Sequence, residues 1–232
     1  MYIFYSPEIL QNNYHLSIEE SKHCMKVLRH KKSDIIHLMD GKGAFYTAEI
    51  SEANPSKIEF RIIEQTNSIP RDYYIHIAIA PTKNINRFEW FLEKSIEMGI
   101  DEITPLFCDN SERKTLNIER LSKIIISASK LSKQAFFPIL NPLLSCGSFI
   151  DRNIDVEKYI AHCHSNIPNL LSHEQIKSKK VEVLIGPEGD FSKNEIKQAL
   201  SAGYKEISLG ESRLRTETAG LVSCFAIHFI NQ

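Results

Sequence analysis

The fold is decided by the stretch VEVLIGPEGDFS at residues 181–192 and by a second stretch, LGESRLRTETA, at residues 209–219. Each of them runs from an apolar strand into a tight turn and then into a helix. In an α/β fold, turns of this kind lie at the ends of the strands and present backbone amides to a ligand. The two turns together therefore predict one cofactor pocket.

Neither turn has the spacing of a common nucleotide-binding motif. The first turn lacks the G-x-x-x-x-G-K-[ST] pattern of a phosphate-binding loop, and neither turn has the G-x-G-x-x-G pattern of a dinucleotide site. These differences argue against ATP and NAD as the cofactor. Taken alone, Gly186 and Pro187 also fit a plain strand-to-helix turn, an alternative that the second stretch weakens.

The two stretches resemble the C-terminal signatures of the SPOUT methyltransferases, in particular the RsmE-type enzymes that methylate N3 of a uridine in 16S ribosomal RNA. The shared pattern is GPEG after a strand, followed by L-G-x-x-x-L-R-x-E-T-A. Further family elements are similar to residues 23–29, 94–99, 104–105 and 111–113, so the resemblance covers essentially the whole chain. The chain departs from the family at Asp190, where a glycine is usual, and at Leu131 and Gln134, where a glutamine and an arginine are expected.

The resemblance implies a SPOUT-like α/β fold with a parallel sheet and a C-terminal trefoil knot, preceded by a small PUA-like β-barrel. It also implies S-adenosylmethionine (SAM) as the cofactor and small-subunit ribosomal RNA as a partner. No metal is expected, because methyl transfer from SAM depends on positioning two reactants. A third implication is an obligate homodimer with its active sites at the subunit interface.

The chain itself divides into two patterns. Residues 1–68 read as short β-segments, with a hairpin turn at Asp40-Gly41 and another turn at Asn54-Pro55, which suggests a small barrel. Residues 65–72 read as a linker. From residue 73 to 232, strands alternate with longer helices, which implies a parallel sheet. The predicted domains are therefore 1–68 and 73–232.

Composition limits the function classes. With 42% hydrophobic and 25% charged residues, the chain is an ordinary globular protein. Because 28 Lys and Arg balance 29 Asp and Glu, net charge alone predicts no nucleic-acid partner. The five cysteines contain no C-x-x-C pair, which fits a reducing compartment. Without a signal-peptide pattern or an apolar run long enough to cross a membrane, we expect a cytoplasmic protein with no membrane partner.

Basic residues nevertheless cluster locally, in residues 21–32 and 113–133. Such clusters provide the charge that phosphate binding requires, although a solvated helix face is an equal alternative for either one. In the second cluster, the basic residues lie opposite a predicted apolar helix face, which is formed by Leu121, Ile124, Ile125, Ala128 and Leu131. The predicted RNA-binding residues are Lys22, His23, Lys26, Arg29, Lys31, Arg113, Arg120, Lys123 and Lys130.

The resemblance assigns the cofactor to three loops, of which the first follows the strand that ends near His162. Gly186 and Gly189 are expected to let the backbone approach the cofactor closely. His162, Cys163 and His164, with His173, also suggest a metal cluster, but neighbouring residues of a strand point to opposite faces. The predicted cofactor-binding residues are His162, Cys163, Leu184, Ile185, Gly186, Pro187, Glu188, Gly189, Leu209, Gly210, Leu214, Arg215 and Thr218.

Methylation at N3 of uridine requires removal of a proton, so a base or a group that stabilises the anion is needed. Glu188 and Glu217 are the acidic candidates, and Arg215 or Arg113 could stabilise the uridine anion. Arg215 lies at the start of a helix, where the helix dipole disfavours a positive charge unless an anion is nearby. That anion is either an RNA phosphate or another bound carboxylate, or it is Glu217 or Glu188 in a structural ion pair. For Glu217, stabilisation of the helix N-terminus is the alternative role. The predicted catalytic residues are Arg215, Glu217 and Arg113.

The last helix carries an apolar stripe that is predicted to be ordinary core, formed by Val222, Phe225, Ala226 and Phe229. The function that the resemblance implies is SAM-dependent methylation of N3 of a 16S ribosomal RNA uridine. Two alternatives remain open. One is a SPOUT methyltransferase that acts on another RNA nucleotide, and the other is a non-catalytic RNA-binding factor in ribosome assembly.

Overall fold

A computed structural model describes residues 2–11, 13–164, 170–171 and 176–231. The chain forms two compact units. The first comprises Met1–Pro70 and Ile126–Phe137, and the second comprises Arg71–Ile125 and Pro138–Gln232. Residues 126–137 therefore belong to the first unit, although they are distant from it in sequence. Within the described residues, no helix is long and apolar enough to span a membrane.

The first unit is built on a four-stranded sheet in the order β1-β2-β3-β4. Strands β1 and β2 are parallel, and the other two pairs are antiparallel. A short helix, α1, continues into a turn of π-helix at His23–Val27. The bounds are β1 Ile3–Tyr5, α1 Ile18–Lys22, β2 Ile35–Met39, β3 Ala44–Glu52 and β4 Glu59–Asn67.

The predicted hairpin at Asp40-Gly41 is confirmed, and it joins β2 to β3. Gly41 has φ +72°, a conformation that favours glycine, and Asp40 accepts hydrogen bonds from the backbone N of Lys42 and Ala44 at 2.7 and 3.1 Å. Alternate residues of β3 point inward, which gives this unit its own apolar core. The predicted linker at 65–72 begins too early, because residues 65–67 still pair with β3.

The second unit contains the predicted parallel sheet, in the order β11-β9-β10-β5-β6-β7, with β8 paired to β6. Each of these pairs is parallel, so the α/β prediction is confirmed. The trefoil knot stays a prediction. The strands are β5 Tyr74–Ile79, β6 Glu102–Phe107, β7 Ile139–Leu140, β8 Leu144–Ser145, β9 Glu157–Ala161, β10 Lys180–Ile185 and β11 Lys205–Ile207.

The longer helices begin and end where the sequence marks them. Gly99, with φ +85°, follows the end of α2, and a capping box between Ser192 and Glu195 opens α5. Their bounds are α2 Ile85–Glu97, α3 Ile118–Ser132, α4 Cys146–Ile150, α5 Lys193–Ser201 and α6 Thr216–Ile230. The capping box fixes the direction in which the chain leaves the turn at residues 186–190.

One predicted helix face is wrong, and another is wrong at a single residue. On α6, Phe225 and Phe229 are 49% and 66% exposed, and the buried side includes Gly220, Ser223 and Ile227 instead. A Cβ atom at Gly220 would lie 2.8 Å from Ile79 and Phe91, so close approach to the sheet selects the side with small residues. On α3, Leu131 is 83% exposed and does not belong to the predicted apolar face, whereas Leu121, Ile125 and Ala128 are buried as predicted.

A buried polar network crosses the middle of the second sheet around Glu182. Its carboxylate lies 3.0 Å from His76 Nδ1 and 2.5 Å from an Arg152 nitrogen, and Tyr204 donates its hydroxyl to it. Burial raises the pKa of Glu182, but the hydrogen bonds from His76 and Tyr204 and the charges of His76 and Arg152 outweigh burial. The pKa therefore lies below its ordinary value, and the folded state favours the ionised carboxylate.

We expect Glu182→Gln to lower the stability of the fold by about 3–5 kcal/mol at neutral pH, because Arg152 and His76 lose their buried partner. The pKa of Glu182 is lower in the folded state than in the unfolded state, where it is about 4.3. Ionised Glu182 therefore stabilises the fold fully above a pH of about 4.3, and this stabilisation is lost as the pH falls through the pKa of the folded state. Thermal melts between pH 7 and pH 3 test this. Glu97→Gln removes an exposed pair with Lys94 and should cost under about 1 kcal/mol. Equal losses in the two variants would contradict the prediction.

Candidate active site

A cavity of about 340 Å³ lies in the second unit where three adjacent parallel strands end. Because β11, β9 and β10 are neighbours with the same direction, the loops that follow them meet at one edge of the sheet. Its walls come from the ends of these strands, from the loops after them and from the first turns of α6. The three loops of the sequence prediction are thus brought together.

Most of the predicted cofactor residues line this cavity, namely His162, Cys163, Ile185, Gly186, Pro187, Glu188, Leu209, Gly210, Leu214 and Arg215. Three do not line it. Leu184 is buried in the core beside Phe191, Gly189 contacts Asn110, and Thr218 is half-buried in α6. The sequence prediction missed the other lining residues, which are Ala161, Asp190, Ile207, Ser208, Ser212, Arg213, Thr216 and Ala219. Their position beside the predicted residues was the signal available for finding them.

The glycines of the first turn face the protein's own side chains. A Cβ atom at Gly186 would lie 3.1 Å from the backbone N and the ring of Phe191, and one at Gly189 would lie 3.0 Å from Asn110. Packing against Phe191 and Asn110 is therefore one reason for these two glycines, and their close approach to a cofactor stays a prediction. Gly210 differs, because its φ of +128° favours glycine and its Cβ position faces open space.

His162 is held in place by the strand next to it. Its side chain is buried, its Nε2 lies 2.9 Å from Oε1 of Glu206, and its Nδ1 accepts a hydrogen bond from the backbone N of His164 at 3.3 Å. The Nε2 atom is therefore the donor to Glu206. Both ring nitrogens are occupied, which leaves the ring as an oriented wall of the cavity.

Among the described residues, the one tight group of potential metal ligands is Cys108, Cys146 and Glu195, which are buried away from the cavity. Glu195 already accepts hydrogen bonds from the backbone N of Ser192 and Asp109. A hydrogen bond with Cys108 and burial raise the pKa of Cys146, so its thiol stays protonated. We therefore interpret Cys108, Cys146 and Glu195 as part of the packed core. His173, which the sequence suggested as a metal ligand, lies outside the described residues.

The three predicted catalytic residues occupy different positions. Arg215 is exposed on the cavity wall, at the residue before α6, and no ion pair with Glu217 or Glu188 joins it among the residues that the structure describes. Glu217 is buried behind the wall, 3.8 Å from Arg87, and its Oε2 has no hydrogen-bond partner. Its carboxylate lies in the first turn of α6, where the helix dipole favours a negative charge.

Arg113 does not line the cavity, but it stabilises the neighbouring turn at Thr82 and Lys83. Its guanidinium donates to the carbonyl oxygens of Thr82 and Lys83 at 3.0 and 2.6 Å. The backbone N of Lys83 in turn donates to Glu188 at 3.0 Å. Arg113 therefore fixes the turn that holds Glu188, which lies on the cavity wall.

The predicted RNA-binding residues of the first unit are mostly free for contact. Lys22, Lys26, Arg29 and Lys31 are exposed, and among the described residues no ion pair neutralises these four. His23 stacks on Tyr2 with ring centroids 4.6 Å apart. We call Lys22, Lys26, Arg29 and Lys31 the N-terminal basic patch.

The predicted RNA-binding residues of α3 pair with acidic side chains, and their contact with RNA stays a prediction. Lys130 is only 13% exposed, pairs with Glu20 at 2.5 Å and lies over the ring of Tyr2. Arg120 pairs with Glu89 at 2.6 Å, and Lys123 pairs with Glu119 at 2.9 Å. Helical spacing located these residues on α3, but it did not reveal the acidic partners, most of which come from other elements.

Two families match the chain. The RNA methyltransferase domain family matches residues 70–228, and the RNA methyltransferase PUA domain family matches residues 17–63. The second match confirms the expected PUA-like domain before the parallel sheet. A curated relative, ribosomal RNA small subunit methyltransferase E of Buchnera aphidicola from Acyrthosiphon pisum, is 29% identical over 226 residues, which are 94% of this chain and 88% of the relative.

Solved structures are similar over the full length. A probable rRNA-methyltransferase from Porphyromonas gingivalis has a TM-score of 0.92 and 39% identity, with 100% of this chain and 98% of that chain covered. Ribosomal RNA small subunit methyltransferase E from Neisseria gonorrhoeae, bound to S-adenosyl methionine, has a TM-score of 0.87 and 26% identity, with 99% and 97% covered.

Proposed function

The chain belongs to the RNA methyltransferase family, and from this premise we propose that it uses SAM to methylate N3 of one uridine in 16S ribosomal RNA. The observation that carries the proposal is the cavity formed by the three loops after β9, β10 and β11. The relative from Neisseria is described as bound to this cofactor, and the Buchnera relative is named for the small-subunit RNA. A ribosomal substrate also favours a cytoplasmic location.

The residues of the cavity fit such a cofactor. Leu209, Leu214 and Ile185 supply apolar wall for a flat base, and the open space beside Gly210 leaves room for it. The loop backbone offers polar contacts to the amino-acid end. When bound, SAM supplies the methyl group on a positively charged sulfur. No metal is needed for this transfer, because positioning of the two reactants can provide most of the rate.

Side chains of this unit would then accept the proton from N3 and stabilise the negative charge that results. Glu188 lines the cavity and Glu217 does not, so we assign the proton acceptor to Glu188, whose Oε1 is fixed by the backbone N of Lys83. Arg215, on the same wall, would stabilise the negative charge that develops on the uridine ring. Arg113 would act through the turn at Lys83 rather than on the substrate.

Methyl transfer to ribosomal RNA, measured in vitro, tests the proposed function. Purified protein incubated with small ribosomal subunits and methyl-labelled SAM should produce labelled N3-methyluridine, detected by mass spectrometry of the digested RNA. A different labelled nucleoside would identify a methyltransferase with another target. Binding of RNA and SAM without any transfer would identify a non-catalytic assembly factor.

We assign RNA docking to the predicted domain 1–68 and the chemistry to the predicted domain 73–232. The N-terminal basic patch supplies the charge for docking. Changing Lys26 and Arg29 to Gln should weaken RNA binding irrespective of sequence and reduce the slope of log affinity against log salt by about two, because each lost phosphate contact releases about one counterion fewer.

Filter binding at several salt concentrations measures this slope. The matched control changes Lys32 and Lys57 to Gln, since these exposed lysines of the same unit already pair with Glu52 and Glu59. The control should keep the wild-type slope. An unchanged slope in the Lys26 and Arg29 double variant would identify the patch as a solvated surface.

We also propose that the protein is a homodimer and that the exposed stripe of α6 faces the second copy. Phe225 and Phe229 stack on each other at 6.1 Å between centroids and expose large apolar surfaces. The wild type should sediment at about twice the 26.6 kDa chain mass at micromolar concentration. Changing both residues to Glu should give monomers with reduced methylation.

Leu131→Glu is the matched control for this prediction, because Leu131 is exposed and apolar but lies on α3. It should leave the sedimentation unchanged. A wild-type protein that sediments as a monomer and still methylates RNA would contradict the dimer.

A further inference from the structure

Asp190 has an unusual backbone for its residue type. Its φ is +63°, which places a residue with a side chain in the left-handed region. Aspartate tolerates this region better than most residues, but the conformation still has a cost and persists where surrounding contacts determine it. The structure therefore contains interactions that hold Asp190 in this conformation.

The carboxylate of Asp190 bridges two turns of the cavity. Its Oδ2 accepts a hydrogen bond from the backbone N of Cys163 at 2.8 Å, and its Oδ1 accepts one from the backbone N of Phe191 at 2.8 Å. The first bond crosses from the turn after β10 to the turn after β9. Hydrogen bonds to an ionised carboxylate are about twice as strong as neutral ones, so this link resists opening.

Further bonds support the same link. The Nε2 of His164 lies 2.8 Å from the carbonyl oxygen of Phe191 and donates to it. On the other side, the side-chain amide of Asn110 donates to the carbonyl oxygens of Gly189 and Asp190 at 3.1 and 3.0 Å. The turn that carries Asp190 is thus held from both sides, and Cys163 and Asp190 both line the cavity.

We propose that Asp190 is a positioning residue that locks the turn at 162–164 onto the turn at 186–191 and so gives the cofactor cavity its shape before binding. A glycine at this position would adopt the same φ without strain but would leave the amide of Cys163 without this partner. The expected effect on SAM affinity rests on the proposed function, whereas the hydrogen-bonded link between the two turns, which we call the lock, does not.

Amide hydrogen exchange without cofactor tests the lock independently of function. In Asp190→Gly, the amide of Cys163 should exchange at least about tenfold faster than in the wild type, because its hydrogen bond to the carboxylate is gone. Ser33→Gly is the matched control, since Ser33 also has a positive φ of 71° but lies in the first unit. It should leave this amide unchanged. Equal exchange in the wild type and in Asp190→Gly would overturn the lock.

Calorimetric titration with SAM tests the effect on the cavity. Asp190→Gly should bind about tenfold more weakly than the wild type, the change expected from one lost charge-assisted hydrogen bond. Asp190→Asn, which keeps one acceptor oxygen and tolerates a positive φ, should recover part of this loss. Melting temperatures close to that of the wild type would show that the variants fold. Faster exchange with unchanged affinity would overturn the positioning role, and a wild type that binds no SAM would contradict the proposed function alone.

Discussion

Ser212→Trp should reduce SAM binding by at least about a hundredfold, the largest effect on cofactor affinity that we expect from a single change. Ser212 is exposed and lines the cavity, so the variant places a large ring in a space of about 340 Å³ without displacing buried side chains. Gly186→Val is a poorer test, because its side chain would first meet the buried Phe191 and disturb the core. Calorimetric titration with the purified protein measures the loss.

The neighbouring Glu211 provides the control for this prediction. It is also exposed, but it does not line the cavity, so Glu211→Trp adds the same ring at the adjacent position. This variant should bind SAM within about twofold of the wild type. If Ser212→Trp bound the cofactor as tightly as Glu211→Trp does, the cofactor site would lie elsewhere.

Arg215→Ala should lower the methylation rate by about 10²–10³-fold, the usual effect of removing a group that stabilises transition-state charge. The arginine is on the cavity wall, and no carboxylate of the described residues neutralises it. Because the charge on uridine develops only during the reaction, the loss should appear in kcat more than in the affinity for RNA or SAM. Single-turnover assays with small ribosomal subunits separate these quantities.

Arg215→Lys keeps the positive charge but loses the planar fork of donors, so it should recover part of the rate. A loss in RNA affinity with an unchanged single-turnover rate would instead assign Arg215 to a phosphate contact. Wild-type rates in Arg215→Ala would remove it from the mechanism.

Local sequence patterns predicted the features that depend on neighbouring residues. The turn at Gly186, the turn at Leu209 and the capping box at Ser192 are all short motifs, and the structure has them where the sequence places them. The parallel sheet followed from the alternation of strands and helices. These features require only that nearby residues favour the same conformation.

The positions predicted wrongly on α6 and α3 are those whose environment depends on which other element packs against the helix. The apolar stripe of α6 predicted core, but the sheet accepts the side with Gly220 because a larger residue there would collide with Ile79 and Phe91. The side chain of Lys130 on α3 is largely buried, and Glu20, which is distant in the sequence, provides its partner. Helical periodicity identifies the apolar side of a helix without identifying the surface that covers it.

The interactions that shape the site are also distant in sequence. Glu206 orients His162, Lys83 holds Glu188, and Asp190 reaches Cys163 across two turns. None of these pairs has a fixed spacing, so a single sequence does not reveal them. The sequence could predict which loops form the cavity, whereas the contacts that hold those loops had to be read from the structure.

Mass mapping of 16S ribosomal RNA from a deletion strain shows whether this protein methylates one uridine of that RNA. We expect that one uridine lacks its N3-methyl group in the deletion strain. We also expect that the wild-type protein restores the methyl group and that the Arg215→Ala variant does not. A deletion strain whose 16S ribosomal RNA keeps every methylated uridine would contradict the proposed function.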